Sequence, residues 1–87
     1  MLIIYSKSSC INCDKAKYIL NSKNIAFIEI KIDENNESRE WLMAQGHRAV
    51  PQLYLNGNLF VEGGYQGLAK LTEDELFNRL GELNVSI

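Results

Sequence analysis

The sequence predicts an α/β fold: a mixed four-stranded sheet with helices on both faces, in the order β-α-β-α-β-β-α. Three observations predict it. The apolar, β-prone runs Leu2-Ile3-Ile4-Tyr5 and Ala26–Ile32 flank a helical pattern, and such a β-α-β unit closes as a right-handed crossover with parallel strands. Asn56-Gly57 stands between two further apolar runs, a strong hairpin signal because both turn positions need positive φ. Finally, 87 residues with no repeat and no linker leave room for one domain, 1–87, holding one modest core.

The elements follow in order. Leu2–Tyr5 reads as a buried strand, and Ser6-Lys7-Ser8-Ser9 as a polar loop whose serines can cap a helix. A helix from about Ile11 to Lys23 turns Ala16, Ile19 and Leu20 inward, while Asp14, Lys15, Lys17 and Lys23 stay outside. Ala26–Ile32 alternates at its far end and reads as the second strand. Asp33, Glu34 and Glu37 suit a helix N-terminus, and a helix from Asn36 to Gln45 turns Trp41 and Leu42 inward before Gly46 stops it. Val50–Leu55 and Asn58–Glu62 form the hairpin, and Gly63-Gly64 a tight turn. Thr72-x-x-Glu75 is a capping box opening a last helix from about Glu73 to Leu80, whose apolar face is Leu76, Phe77 and Leu80. Residues 81–87 are expected to be a loose tail, with Leu83 and Val85 able to dock.

Composition removes several function classes. Net charge is −2 and the nine Lys and Arg are scattered, which leaves no electrostatic footprint for nucleic acid. No apolar run approaches the roughly 20 residues of a membrane span. The N-terminus shows neither a signal-peptide pattern nor an Arg-rich presequence, so the expectation is a soluble, cytoplasmic monomer. The two cysteines are too few for a disulfide scaffold, and Cys10, Cys13 and the lone His47 are too few for a structural zinc site. A bridge across two intervening residues closes too small a loop to be a useful staple. The pair reads as a reactive dithiol.

Cys10 lies where a strand hands over to a helix. The orphan N–H groups and partial positive charge of a helix start favour an anion, and a thiolate is one; Lys7 adds a full charge. Cys13, one turn further on, is more enclosed, so Cys10 is expected to attack and Cys13 to resolve. Before a strand, Pro51 costs little; beside a redox pair, the sharper expectation is a cis Val50–Pro51 bond leaving the Val50 backbone to an extended thiol-bearing peptide. His47 reads as a surface or capping residue, Trp41 as core, and Tyr5 as packing at a strand end.

Tyr5-Ser6-Lys7-Ser8-Ser9-Cys10-x-x-Cys13, Val50-Pro51-Gln52 and Gly63-Gly64-Tyr65 together resemble the glutaredoxin family in order and spacing. The resemblance implies a thioredoxin-like fold and glutathione, both as reductant and as the group removed from mixed disulfides; no tightly bound cofactor is implied. By position, Lys7 meets the glycyl carboxylate of glutathione, with Arg48 as a second cation. Val50 pairs with the cysteinyl backbone, and Tyr65-Gln66-Gly67 holds the γ-glutamyl end; Asn12, Ala49, Pro51 and Gly64 complete the implied contacts. The chain departs from the family in having Ile11-Asn12 for Pro-Tyr, Ala49 for Thr, and Gly67 for Asp. The implied activity is thiol–disulfide exchange on disulfide-bearing or glutathionylated proteins, with electron delivery to ribonucleotide reductase a typical family role. Two alternatives stand beside it. The changes at Asn12 and Gly67 suit a redoxin reduced by thioredoxin reductase. A [2Fe–2S] cluster held by Cys10 and glutathione across two subunits is disfavoured by Cys13 and Ile11.

Overall fold

The structure is a computed structural model that describes residues 1–84, with side chains through residue 81. Its strands are β1 (Leu2–Ser6), β2 (Phe27–Lys31), β3 (Gln52–Leu55) and β4 (Asn58–Leu59). Its helices are α1 (Ile11–Ser22), α2 (Asn36–Ala44), α3 (Gly64–Lys70) and α4 (Glu73–Asn84). The sheet order is β2-β1-β3-β4, with β1 parallel to β2 and the other two pairings antiparallel.

Alternation along the strands sorts the apolar residues between two faces. Leu2, Ile4, Leu53 and Leu55 point to one side, where Ala16 and Leu20 of α1, Leu68 of α3 and Leu76 of α4 meet them around Phe60. Tyr5 and Tyr54 point to the other, where Leu42 of α2 covers them. Asn35 caps α2 by accepting from the Ser38 N–H at 3.0 Å. The expected capping box is present: Thr72 N–H donates to Glu75 Oε1 at 3.0 Å, and Glu75 N–H to Thr72 Oγ1 at 3.1 Å. The hairpin turn has positive φ at both Asn56 and Gly57.

Four expectations need correction. The element order lacked α3: Gly64–Lys70 is a helix in its own right, started by a left-handed Gly63 and packed through Leu68. Its seven residues carry too short an apolar pattern to stand out beside the capping box that follows. The last helix continues to Asn84, so residues 81–84 are not tail; 85–87, including Val85, lie outside the described residues. Only Asn58–Leu59 of the fourth run pairs as strand; Phe60 N–H still bonds Leu53 C=O at 2.8 Å before the chain turns away. Trp41 is 39% exposed and lies on Tyr5 as a lid on the aromatic face, with only Leu42 of that pair buried. No helix among the described residues is long and apolar enough to cross a membrane.

Candidate active site

β1 ends at Ser6 and the chain reaches α1 through Lys7, Ser8 and Ser9, with Ser9 at φ +56. Asp33 ties this loop down: both its carboxylate oxygens accept from the Ser8 N–H at 3.3 Å. Bonding to Ser8, through its hydroxyl first and its N–H after, holds the Asp33 carboxyl below the usual carboxylate range. The helix cap is not one of the serines but Cys10 itself. Its backbone is extended, and its Sγ accepts from the Cys13 N–H at 3.2 Å. Sulfur therefore occupies the place where an Asp or Ser oxygen usually satisfies a helix start, a place that rewards negative charge.

The two cysteines differ in surroundings. Cys10 is half-buried, whereas Cys13 is 1% exposed and faces the core beside Ala16. Burial pushes the Cys13 thiol up to about 12, and its hydrogen bond with Cys10 adds to this; the Lys7 backbone amide and the Lys17 charge pull the other way. Cys13 is thus held as a protonated thiol next to a sulfur acceptor. Ile11, between them in sequence, is 72% exposed.

Two hollows flank the start of α1. Lys7, Arg48, Ala49 and Val50 line one of about 260 Å³, together with Arg39, Leu42, Met43, His47 and Ile32. Asn12, Ala49, Val50, Pro51, Gly64, Tyr65 and Gln66 line the other, of about 250 Å³, with Gln52 and Gly63. They share Ala49 and Val50, so the segment before Pro51 forms the ridge between them. The Val50–Pro51 bond is cis, as expected. No acidic side chain lines either hollow.

Neither cysteine lines a hollow; of the implied glutathione contacts only Gly67 lines neither, and its role is packing. A Cβ there would stand 1.8 Å from the Glu62 carbonyl oxygen, so α3 approaches the 60–62 segment too closely for any side chain at 67. Gly64 behaves similarly at φ +57, with its Cβ position 2.5 Å from the Pro51 carbonyl oxygen. Sequence reasoning missed Arg39 and undervalued His47. Arg39 is exposed on α2, one turn before Leu42 and Met43, and it reaches the hollow through the way α2 lies over the sheet. His47 lines the cationic hollow, and its Nε2 lies 2.6 Å from Tyr54 Oη. Burial, with Tyr5 nearby, raises the Tyr54 hydroxyl, so at neutral pH Tyr54 remains a protonated partner for the ring.

A helix-capping cysteine with a buried second thiol one turn on, next to a cis-proline on a mixed sheet, defines a dithiol protein of the thioredoxin-like fold. The glutaredoxin family model matches residues 2–60, and the chain belongs to the glutaredoxin family. It is similar to glutaredoxin 3 of Escherichia coli, 39% identical over 54 residues, which are 61% of this chain and 65% of that protein. The chain thus spans just under two thirds of that relative. It is also similar to the glutaredoxin-like protein NrdH of Lactococcus lactis, 38% identical over 71 residues, 82% of this chain and 99% of the relative. Among solved structures, the buckwheat glutaredoxin–glutathione complex aligns at TM-score 0.75 and 22% identity, covering 99% of this chain and 81% of that one. The NrdH-redoxin of Escherichia coli, described as having a thioredoxin-like activity profile, aligns at TM-score 0.62 and 29% identity over 63% of this chain and 72% of that one.

Proposed function

We propose that this protein is a glutathione-dependent thiol–disulfide oxidoreductase in which Cys10 is the nucleophile and Cys13 the resolving thiol. The observation that carries the reading is the pair of joined hollows that reach the dithiol segment at Lys7 and at Asn12, one bearing Lys7, Arg39 and Arg48 with no acidic side chain in its lining. Their shape and charge suit a short extended peptide with a carboxylate at its cationic end. Val50, on the ridge between them, lies two residues ahead of the β3 ladder, where its main chain can pair with the cysteinyl unit of the tripeptide.

The chemistry follows from the unequal thiols. Cys10 thiolate attacks the glutathione sulfur of a glutathionylated protein; the Cys10–glutathione bond forms, and the protein sulfur leaves with the old bonding pair and takes up a proton. A second glutathione thiolate then releases oxidised glutathione and restores Cys10. With a protein disulfide, Cys13 attacks the Cys10 mixed disulfide instead. Its proton retention at neutral pH keeps it from competing for the first attack. Glutathione-coupled reduction of a small mixed disulfide tests the assignment. Cys10→Ser abolishes turnover, whereas Cys13→Ser retains deglutathionylation and loses protein-disulfide reduction. Replacing Lys7 and Arg48 together by Ala raises the KM for glutathione by roughly tenfold or more, the scale of a lost charged hydrogen bond. Equal KM values in that variant and the native chain defeat the placement of the carboxylate.

A second reading is favoured by Gly67, whose contact with the Glu62 carbonyl leaves no space for an acidic side chain facing the γ-glutamyl group. The likeness to the Lactococcus protein along almost its whole length supports the same alternative. In that reading thioredoxin reductase supplies the electrons, and ribonucleotide reductase is a client either way. Turnover of the oxidised protein with the flavoprotein, and none with glutathione, replaces the first reading by the second.

A further inference from the structure

The resolving step asks for something the burial of Cys13 resists. A thiol must lose its proton to attack, yet Cys13 is 1% exposed and shares the buried face of α1 with Ala16 and Leu20. One charged side chain shares its helix face: Lys17, four residues on, the spacing that brings side chains together on α1.

Lys17 is held where it lies. Its Nζ donates to Glu29 Oε2 at 2.9 Å and stands 3.5 Å from Asp14 Oδ1. Glu29 Oε2 also accepts from Ser6 Oγ at 2.6 Å. Ser6, at the end of β1, is the one polar residue buried outright among the described residues, and its hydroxyl is spent on this carboxylate. Bonding to Ser6, and then to Lys17, holds the Glu29 carboxyl below its usual range, while Glu29 raises the Lys17 ammonium. Both shifts favour the charged pair at neutral pH. The groups that act on Cys13 are its burial, Cys10, the Lys7 backbone amide and Lys17, and Lys17 is the only cationic side chain among them.

We propose that Lys17, anchored by Glu29 and Ser6, is a positioning residue for the resolving step, holding a positive charge one helical turn from Cys13 to stabilise its thiolate. The inference rests on the assignment of Cys13 as resolving thiol. In the step, Cys13 gives its proton to water and its thiolate attacks Cys10 Sγ of the mixed disulfide Cys10–S–S–R. The Cys10–Cys13 bond forms as the bond to R breaks; R–S⁻ leaves with that bonding pair and takes up a proton from solvent. The client gains two electrons and the dithiol loses them. The plainer account, that the Lys17–Glu29 pair only fastens α1 to β2, predicts no effect on the acid–base behaviour of Cys13.

The full chain, loaded on Cys10 with 2-nitro-5-thiobenzoate, separates the two accounts, because release of the coloured thiolate in one turnover reports resolution alone. Its rate is followed from pH 6 to pH 12 for the native chain, Lys17→Gln, Lys17→Arg and Lys17→Met. Loading Cys10 removes the hydrogen bond and charge of that sulfur, two of the causes that raise Cys13, so the midpoint lies below that of the free dithiol. Glutamine keeps a hydrogen bond to Glu29 without the charge, so it serves even if methionine loosens the fold. The expected result is a release rate about tenfold lower at pH 7.5 in Lys17→Gln, with the midpoint of the pH profile moved upward and arginine restoring most of the rate. A native midpoint in Lys17→Gln, with or without a uniform slowing, overturns the proposal and leaves the roles of the cysteines standing. Failure of the native chain to release the label at any pH overturns the resolving role of Cys13 and the proposal with it.

Discussion

The two faces of the sheet are built on different terms. On one, aliphatic side chains and Phe60 are closed in by α1, α3 and α4, and Cys13 is buried on the same face of α1 as Ala16 and Leu20. On the other, α2 alone covers Tyr5 and Tyr54, Trp41 lies half out of the core, and a hollow bearing Lys7, Arg39, His47 and Arg48 opens beside it. The aromatic rings make up for thin cover by packing on one another: Tyr5 and Trp41 stack at 5.5 Å between centroids, and Trp41 meets Tyr54 edge-on at 5.0 Å. The dense face fixes the second thiol and suppresses its ionisation. The open face leaves a hollow lined by cations exposed to solvent.

That contrast can be broken in several ways, beginning with the dense face. Phe60→Ala, at a fully buried position, costs about 3–5 kcal/mol in urea unfolding; a loss below 1 kcal/mol puts the core elsewhere. Gly67→Asp, which restores the side chain usual in the family, costs about 2–4 kcal/mol because a Cβ there meets the Glu62 carbonyl oxygen. A stable variant with tighter glutathione binding, seen by calorimetry, contradicts the close approach. The sealed thiol makes a pH prediction. Its native value of about 12 lies above the ordinary thiol range, so between those values the unfolded chain binds fewer protons than the folded one. Stability is therefore intact below about pH 8.5 and falls toward pH 12 by up to about 1.4 kcal/mol per pH unit. Unfolding of the reduced protein at pH 8 and pH 10.5, against Cys13→Ala, isolates that slope. The open face yields least. Trp41→Ala costs about 1–2 kcal/mol, since much of the ring is already wet, and near-infrared or fluorescence probes are unnecessary because thermal melting suffices.

The fold was legible wherever a pattern ran long enough to repeat. The apolar run of β1, the alternation in β2 and the i, i+3, i+4 set of α1 each placed an element within a residue or two, the Asn56-Gly57 turn joined β3 to β4, and the Thr72–Glu75 box placed the start of α4. What escaped depends on tertiary approach. α3 has seven residues and three glycine or alanine positions, Gly64, Gly67 and Ala69, and its seat against Pro51 and Glu62 is set by the absence of side chains. The cap on α1 escaped because Ser8 and Ser9 are the better-known cap formers, while Cys10 took the place through its sulfur. Within the site, the dithiol, Lys7, Arg48 and the Val50–Pro51 ridge were readable from spacing and resemblance. Arg39 and the His47–Tyr54 bond were not, since both depend on how α2 lies over the sheet.

Because the Sγ of Cys10 also takes the hydrogen bond of the Cys13 amide, chemistry at that sulfur is written into the main chain. Once it joins a disulfide, the sulfur carries no charge and is a poorer acceptor, and the amide of residue 13 loses its anchor. Its proton resonance becomes a reporter of which covalent state the protein occupies, readable in a nitrogen-labelled sample without attaching anything to either thiol.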